Sequence, residues 1–190
     1  MIPPLKKFDV KVIICGLQLT VLLLFGWVPI STAEIPIIRE HQLKAVFLYR
    51  FAHFITWPPT AFENPSAPFR ICLWGDEDPF HGQLDVAVAN EKIRGRLIEV
   101  QRITFIEDMV RCQIVYADES KHRYKANLFR FVKDYPILTV SDMKKFVARG
   151  GMIEFFNLGN KIRFMMAPKN IKKARLKASA RILQLAKIVR

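Results

Sequence analysis

Four short apolar runs alternate with helix-like segments between residues 69 and 149, and this alternation constrains the fold more than any other feature. The runs end in turn-forming or polar residues and read FRICLWG, RLIEVQRI, CQIVYA and PILTV. Short apolar runs bounded by turn signals are typical of buried strands. Strands that alternate with helices predict an α/β domain, a three-layer sandwich with a mainly parallel sheet.

Two further patterns close the chain. The segment MIEFFNLGNKIRFMM predicts a closing β-hairpin that turns at Leu158-Gly159-Asn160. An apolar stripe at helical spacing predicts a long C-terminal helix from about Asn170 to Val189.

A separate helix is predicted over residues 40–56, where polar and apolar side chains segregate at helical spacing before Pro58.

The N-terminus carries a basic segment, an apolar segment and a small-residue site in succession. Three Lys residues precede apolar residues 12–30, and Ser31 and Ala33 stand three and one residues before a cut ahead of Glu34. This order is typical of a secretory signal peptide over residues 1–33. A retained transmembrane anchor is the alternative, since the apolar segment is just long enough to span a bilayer.

Cleavage would leave residues 34–190 as a single exported domain. This length suits one domain with a sizeable core. The net charge falls only from +13 to +11, because the leader contains three Lys and one Asp. The mature chain would therefore remain strongly basic.

Two cysteines remain after cleavage, Cys72 and Cys112, at or near the starts of two predicted strands. Neighbouring strands lie about 5 Å apart, which is within the usual Cα separation of a disulfide. In an oxidising compartment an even pair of cysteines favours a bridge. We predict a Cys72–Cys112 disulfide, with two buried free thiols as the alternative.

Short polar residues follow three of the predicted strands, at the sheet edge where ligands bind in such folds. They are Asp76 after the first run, Asp118 after the third, and Ser141 and Asp142 after the fourth. These residues predict a small-ligand crevice. The same residue types cap helix N-termini, so capping is the alternative for each of them.

Signatures of catalysis are missing from the sequence. It contains no GxSxG, Walker, HExxH or GxGxxG motif. Its four histidines share no ligand spacing, and no CxxC or Cys/His cluster occurs. We therefore expect no catalytic residues, no metal and no cofactor.

The C-terminal part of the chain carries only basic charged residues. No acidic residue follows Glu154, whereas ten Lys or Arg residues do. Such a field favours an acidic protein surface or anionic lipid as partner. Nucleic acid is not expected, because the chain is exported and carries no nucleic-acid-binding motif. A solvated helix face is the alternative.

The stretch LYRFAHFITWPPTAF, residues 48–62, is unusually rich in aromatic side chains. Most of these rings are expected to cover the sheet. The predicted helix is apolar around more than half its circumference, however, which exceeds what one sheet face needs. We expect Phe47, Tyr49, Phe54 or Trp57 to remain partly uncovered for a dimer or partner contact, with Trp57 as the clearest candidate.

Five segments together resemble the YfiR family of exported bacterial proteins over residues 41–190: LKAVFLYRFAHFITWP, ICLWGDEDPF, CQIVYADES, ILTVSDMKKFVARGGMIEF and KIRFMM with ARLKASARILQLAKIV. The resemblance implies a periplasmic α/β domain that forms homodimers. It implies a repressor that contacts the periplasmic sensory domain of a membrane diguanylate cyclase, or of a related sensor such as a kinase. An OmpA-like outer-membrane lipoprotein would sequester such a repressor. Residues 165–168, Met-Met-Ala-Pro, depart from the family's pattern.

Two functions from different classes follow. The first is a non-catalytic periplasmic signalling regulator of cyclic-di-GMP and biofilm formation. The second is a periplasmic small-molecule receptor that uses the crevice at Asp76, Asp118, Ser141 and Asp142. An unrecognised periplasmic enzyme is a more distant third.

Overall fold

A computed structural model describes residues 37–190 of the chain, and the predicted signal peptide lies outside them. None of the helices in this described part is long and apolar enough to cross a bilayer.

The described chain contains five α-helices and ten short strands. The helices are α1 Ile37–Phe54, α2 Gln83–Val88, α3 Lys125–Val132, α4 Pro168–Lys173 and α5 Ala180–Leu185. The strands are β1 Ile55–Thr56, β2 Phe69–Trp74, β3 Lys92–Ile93, β4 Arg96–Ile103, β5 Ile114–Ala117, β6 Leu138–Ser141, β7 Ile153–Leu158, β8 Lys161–Met166, β9 Lys177–Ala178 and β10 Lys187–Ile188. Short 3-10 segments of one or two turns lie at Pro59–Ala61, Ile106–Arg111, Glu119–Tyr124 and Val147–Arg149.

Eight strands form one sheet in the order β10-β8-β7-β6-β5-β2-β4-β3. Five of its seven neighbouring pairs are parallel, and the β7–β8 and β3–β4 hairpins are antiparallel. The β7–β8 hairpin turns at Gly159-Asn160, with Leu158 opposite Lys161. The predicted α/β class, mainly parallel sheet and closing hairpin are thus confirmed.

The two faces of the sheet are covered by separate apolar layers. Helix α1 packs on one face, where Leu48, Phe51 and Ile55 are fully buried against β2, β5, β6, β7 and β8. Helix α3 and the turn at 106–111 cover the other face through Leu128 and Met109. These layers with the sheet between them make the predicted three-layer sandwich.

The predicted disulfide is confirmed on the second face. Cys72 in β2 is joined to Cys112, which lies just before β5, with a Cα–Cα distance of 5.9 Å. Both residues are buried. The bridge ties the neighbouring inner strands β2 and β5 at the point where β5 begins.

The C-terminal segment does contain helix, but the prediction of one long helix from Asn170 to Val189 is wrong. Helix α4 ends before Arg175, which has a left-handed backbone with φ of 62°. Strand β9 then pairs with β1, and β10 pairs with β8. The chain breaks into two short helices because these strand pairings hold the intervening residues extended.

Candidate functional site

A crevice opens at the carboxyl ends of β2, β5 and β6, where the topology predicts a ligand site. Its volume is about 230 Å³. The lining comes from α1, from the segment after β2, and from the ends of β5 and β6: His41, Lys44, Glu77, Asp78, Pro79, His81, Tyr116, Asp118 and Asp142. Gly75 lets the end of β2 lie close to Asp118, because a Cβ at residue 75 would stand 2.9 Å from the Asp118 Cβ.

The four residues predicted for the crevice separate into two groups. Asp118 and Asp142 line it. Ser141 is buried, and its hydroxyl donates to the Ala117 carbonyl at 2.6 Å and accepts from the Met143 N–H at 3.0 Å. Asp76 is exposed and pairs with Lys121. Ser141 and Asp76 therefore serve local structure and do not line the crevice.

Asp118 also caps a helical turn, the role that its residue type offers as the alternative to ligand binding. Its carboxylate accepts from the Ser120 N–H at 2.9 Å and so caps the 3-10 turn at Glu119–Tyr124. Capping and lining the crevice are compatible, because one carboxylate oxygen suffices for the cap.

Lys44 of α1 is the cation at the centre of the crevice wall. Its Nζ lies 2.8 Å from Asp142 Oδ2 and 2.9 Å from Glu40 Oε1. Burial acts to lower the pKa of Lys44, but its hydrogen bonds with Asp142 and Glu40 outweigh burial, and the pKa is raised. The hydrogen bond from Lys44 lowers the pKa of Glu40. Lys44 and Glu40 are thus held in their charged forms.

One oxygen in this wall lacks a well-formed hydrogen bond. Asp142 Oδ1 is buried, and none of the described residues donates to it with full hydrogen-bond geometry, although the Tyr116 hydroxyl lies close enough to interact with this carboxylate. Buried carboxylate oxygens are normally hydrogen-bonded, so this atom is an open acceptor beside the crevice. Burial, followed by the nearby Asp142 charge, raises the pKa of the Tyr116 hydroxyl well above its ordinary value, so Tyr116 stays neutral.

Arg102 of β4 forms ion pairs with Asp78, which lines the crevice, and with Asp85 beside it. Its guanidinium donates to Asp85 Oδ1 at 2.8 Å and to Asp78 Oδ2 at 2.6 Å. The hydrogen bond from Arg102 lowers the pKa of Asp85. Burial acts to raise the pKa of Asp78, but Arg102 and the backbone N–H groups of Phe80 and Gly82 outweigh it and lower the pKa.

The sequence did not single out Lys44, Arg102, His41 or His81. The i,i+4 spacing of Glu40 and Lys44 was the available signal for the first, because it predicts an ion pair on one helix face. The imidazole rings of His41 and His81 meet edge to face with centroids 4.9 Å apart. Nothing in the local sequence joins these two histidines, which come from different elements.

The aromatic residues predicted for an interface also separate into two groups. Phe47 and Phe54 are half-buried, and their interface role remains a prediction. Tyr49 and Trp57 are each only 7% exposed, so the expectation that they remain uncovered is wrong. Trp57 turns inward because its Nε1–H donates to the Gln113 carbonyl at 3.1 Å and its ring packs edge to face on Phe69.

A basic surface covers the C-terminal part of the domain. All ten Lys and Arg residues after Glu154 are exposed: Lys161, Arg163, Lys169, Lys172, Lys173, Arg175, Lys177, Arg181, Lys187 and Arg190. None of them forms a salt bridge within residues 37–190. They lie on or beside β8, β10, α4 and α5, at one end of the sheet.

A hollow of about 440 Å³ lies within this basic surface. Ile171, Leu176 and Leu183 give it an apolar wall, and Lys172 and Lys177 stand at its rim. An apolar hollow rimmed by cations suits a segment that combines an apolar side chain with acidic neighbours. In the part of the chain that the structure describes, no cluster of three or more His, Cys, Asp or Glu residues is arranged to hold a metal ion.

Solved structures with a similar chain path come from distant proteins. A conserved domain protein from Vibrio cholerae O1 biovar El Tor aligns with a TM-score of 0.49 and 8% identity, covering 82% of this chain and 60% of its own. A Streptococcus pneumoniae ABC domain in complex with L-Trp aligns with a TM-score of 0.49 and 10% identity, covering 79% of this chain and 62% of its own. The present chain thus spans about three fifths of each of these proteins.

No curated protein matches the sequence. A family model described as YfiR/HmsC-like matches residues 41–187, which is nearly the whole described domain. The match includes the α1 aromatic stretch, the crevice, the disulfide and most of the basic surface. The chain belongs to the YfiR/HmsC-like family.

Proposed function

We propose that this chain is a non-catalytic periplasmic regulator that binds the periplasmic sensory domain of a membrane diguanylate cyclase or a related sensor such as a kinase. Membership of the YfiR/HmsC-like family suggests a periplasmic regulator of cyclic-di-GMP signalling. The proposal adds the contact with the sensor and a leader cleaved ahead of Glu34.

The observation that carries the proposal is the basic surface. Ten exposed cations without an ion-pair partner among the described residues create a positive field at one end of the domain. Such a field attracts an acidic partner surface and speeds encounter. The apolar hollow beside Ile171 and Leu183 supplies a contact that excludes water, and such contacts carry most of the affinity of an interface.

Charge reversal within the basic surface tests this contact. Lys172→Glu, Lys177→Glu and Arg181→Glu together leave the apolar wall intact and reverse three exposed cations, two at the rim of the hollow and one on α5. We expect affinity for the purified sensory domain to fall at least about a hundredfold, since like charges across an interface cost several kcal/mol. Binding of the wild type should also weaken as salt rises.

The matched control reverses three exposed cations elsewhere on the domain, Arg123, Lys144 and Arg149, none of which pairs with an acid in the described structure. This control should bind almost as the wild type does. Equal loss in both triple variants would indicate only a net-charge effect. Deletion of the gene without change in cyclic-di-GMP or biofilm, with no sensor captured, would refute the proposal.

The OmpA-like outer-membrane lipoprotein is proposed as a competing partner. We expect it to displace the sensory domain in a competition pull-down. A lipoprotein that does not bind the regulator at all would contradict this part of the proposal.

Mass spectrometry of the protein purified from the periplasm tests the leader, since an N-terminus at Glu34 is expected. A chain retaining residues 1–33 would favour the anchor instead.

A second candidate function, a small-molecule receptor, is favoured by the open acceptor at Asp142 Oδ1. The crevice around it carries Glu77, Asp78 and Asp118 as well, so a ligand with N–H donors and positive charge suits it. Binding there would shift the regulator between states with different affinity for its sensor. A thermal-shift screen of amines, amino acids and cell-wall fragments tests this. A hit that survives Asp142→Asn unchanged would place the ligand elsewhere.

A further inference from the structure

The last three strands of the sheet, β7, β8 and β10, have one face that no helix layer covers. Their first face packs on α1, where the rings of Phe155 and Phe164 contact Phe51. On the second face, the apolar layer under α3 contains residues of β2, β4 and β5 but none of β7, β8 or β10. In the described chain β10 is also the last strand at this end of the sheet. The second face of these strands can therefore be reached from outside.

Strand register places six alternate side chains on this uncovered face. Residues directly opposite each other in paired strands point to the same side of a sheet. The face therefore carries Leu158 opposite Lys161, Phe156 opposite Arg163, and Met165 beside Lys187. Lys187 Nζ lies 5.9 Å from the centre of the Phe156 ring, as expected for two side chains on one side. We call these six residues the hairpin face.

The hairpin face combines free cations with a protruding apolar side chain. Lys161, Arg163 and Lys187 are exposed, and none of them forms a salt bridge within residues 37–190. Leu158, at the tip of the hairpin, is 65% exposed. A Cβ at Gly159 would have no heavy atom within 4 Å apart from those of its chain neighbours. The tip therefore stands clear of the rest of the described domain.

The one acidic residue on this side of the three strands is hidden from solvent. Glu154 lies opposite Met165 but is buried. Its carboxylate accepts from the N–H groups of Lys145 and Val147, each at 3.0 Å. No other acidic residue occurs in β7, β8 or β10. The hairpin face therefore presents only positive charge to a partner.

The form of the face favours a lipid bilayer over an acidic protein. None of the six residues lines the crevice or the hollow described above. The affinity of protein interfaces comes chiefly from side chains seated in well-packed pockets. A bilayer needs no such pocket, because a protruding leucine enters the boundary between headgroups and acyl chains at any point. Long Lys and Arg side chains beside it can then reach the lipid phosphates.

We propose that the hairpin face binds the surface of an anionic phospholipid bilayer, with Leu158 inserted among the lipids and Lys161, Arg163 and Lys187 paired with phosphate groups. Such binding would hold an exported domain at the membrane and raise its local concentration around a membrane sensor. The inference goes beyond the proposed function, because it uses a different surface from the hollow and needs no sensor. It rests on that proposal only for cleavage of the leader.

Vesicle binding tests the charges of the face. The chain beginning at Glu34 is the material, since the apolar leader would bind lipid by itself. Vesicles of phosphatidylglycerol and phosphatidylcholine should carry the wild type down in sedimentation, and binding should weaken as salt rises. Each cation near an anionic membrane contributes about fivefold to partition. Lys161→Gln, Arg163→Gln and Lys187→Gln together should therefore lower the partition coefficient about a hundredfold.

A matched control removes the same charge elsewhere. Lys92→Gln, Arg94→Gln and Arg123→Gln replace three exposed cations, two of them in or beside β3 at the other end of the sheet. None of the three forms a salt bridge in the described structure. This control should lose less than about fivefold in partition. Equal losses in the two triple variants would overturn the proposal, because net charge alone would then explain binding.

Insertion of Leu158 has its own test. Leu158→Gln should lower partition about tenfold, because an apolar side chain no longer leaves water. Leu97→Gln is the control, since Leu97 is 64% exposed but lies on β4. Fluorescence of Leu158→Trp should shift to the blue on vesicles, against a constant background from the buried Trp57 and Trp74. Leu97→Trp should not shift, and equal shifts would contradict insertion at the hairpin tip.

The soluble sensory domain separates this inference from the proposed function. The triple Gln variant of the hairpin face should fold as the wild type does in thermal unfolding and still bind the sensory domain, because the hollow is unchanged. Wild type that ignores anionic vesicles, or binds pure phosphatidylcholine equally well, would overturn the inference. If it ignores vesicles while the triple Gln variant loses the sensory domain, the occupant of the hairpin face is an acidic protein instead.

Discussion

Lys44 of α1 donates to Asp142 at the end of β6, with Nζ 2.8 Å from Oδ2, and so fastens the helix to the edge of the sheet where the crevice opens. The same ammonium holds Glu40 at 2.9 Å. Helix α1 also carries the aromatic residues that cover the sheet. A single buried cation therefore links the crevice to the packing of the longest helix in the described chain.

Replacing this cation should destabilise the fold. Lys44→Met keeps the apolar stem but leaves Glu40 and Asp142 without their counter-ion. We expect the free energy of unfolding to fall by about 1–3 kcal/mol, less than for a fully buried pair because both carboxylates are partly exposed. Urea unfolding measures it. In the Lys44→Met/Asp142→Asn double variant the loss should be smaller than the sum of the single losses, and strict additivity would mean that the pair is not coupled.

Acid should destabilise the domain through three carboxylates. The pKa values of Glu40, Asp78 and Asp85 are all lowered in the fold. Each carboxylate therefore stabilises the folded state fully at pH values above its unfolded pKa of about 4. That stabilisation is lost as pH falls through the folded pKa values. We expect the free energy of unfolding to decline from about pH 5 downward, measured by urea unfolding at each pH. Arg102→Met should flatten this decline, since it removes the partner of Asp78 and Asp85.

Local sequence was enough to predict the elements that depend on local patterns. RLIEVQRI coincides with β4 from Arg96 to Ile103. The Gly159-Asn160 turn follows because the left-handed backbone at Gly159, with φ of 57°, is one that glycine adopts without strain. The Cys72–Cys112 pairing followed from cysteine number and strand spacing.

The other predictions failed because the structure at those residues depends on contacts between residues far apart in sequence. Lys177 and Ala178 are extended because they pair with Thr56 and Ile55, and no local pattern shows this. Trp57 is buried because the Gln113 carbonyl accepts its N–H. The crevice was placed at the correct sheet edge, but its cation, Lys44, comes from a helix that precedes every strand of the main sheet.

Loss of the disulfide should cost substantial stability. Replacing both Cys72 and Cys112 by Ala removes a bridge between residues 40 apart in the chain, and so increases the conformational entropy of the unfolded state. We expect a loss of about 2–5 kcal/mol in the free energy of unfolding. Denaturant unfolding of oxidised wild type and the double variant measures it. Mass spectrometry of unreduced wild type should find no free thiol at either residue, and two free thiols would contradict the bridge.

Gly151 should be the glycine least tolerant of substitution. A Cβ at this position would overlap the ring of Phe146, which is fully buried against Phe129 and the α3 layer. We expect Gly151→Ala to lower the free energy of unfolding by about 3 kcal/mol or more, as overpacking of a filled core does. Gly159→Asn is the matched control, because nothing lies near its Cβ and asparagine accepts a left-handed backbone. The control should unfold within about 0.5 kcal/mol of the wild type. Similar losses in the two variants would mean that chain flexibility, and not contact with Phe146, sets the requirement for glycine.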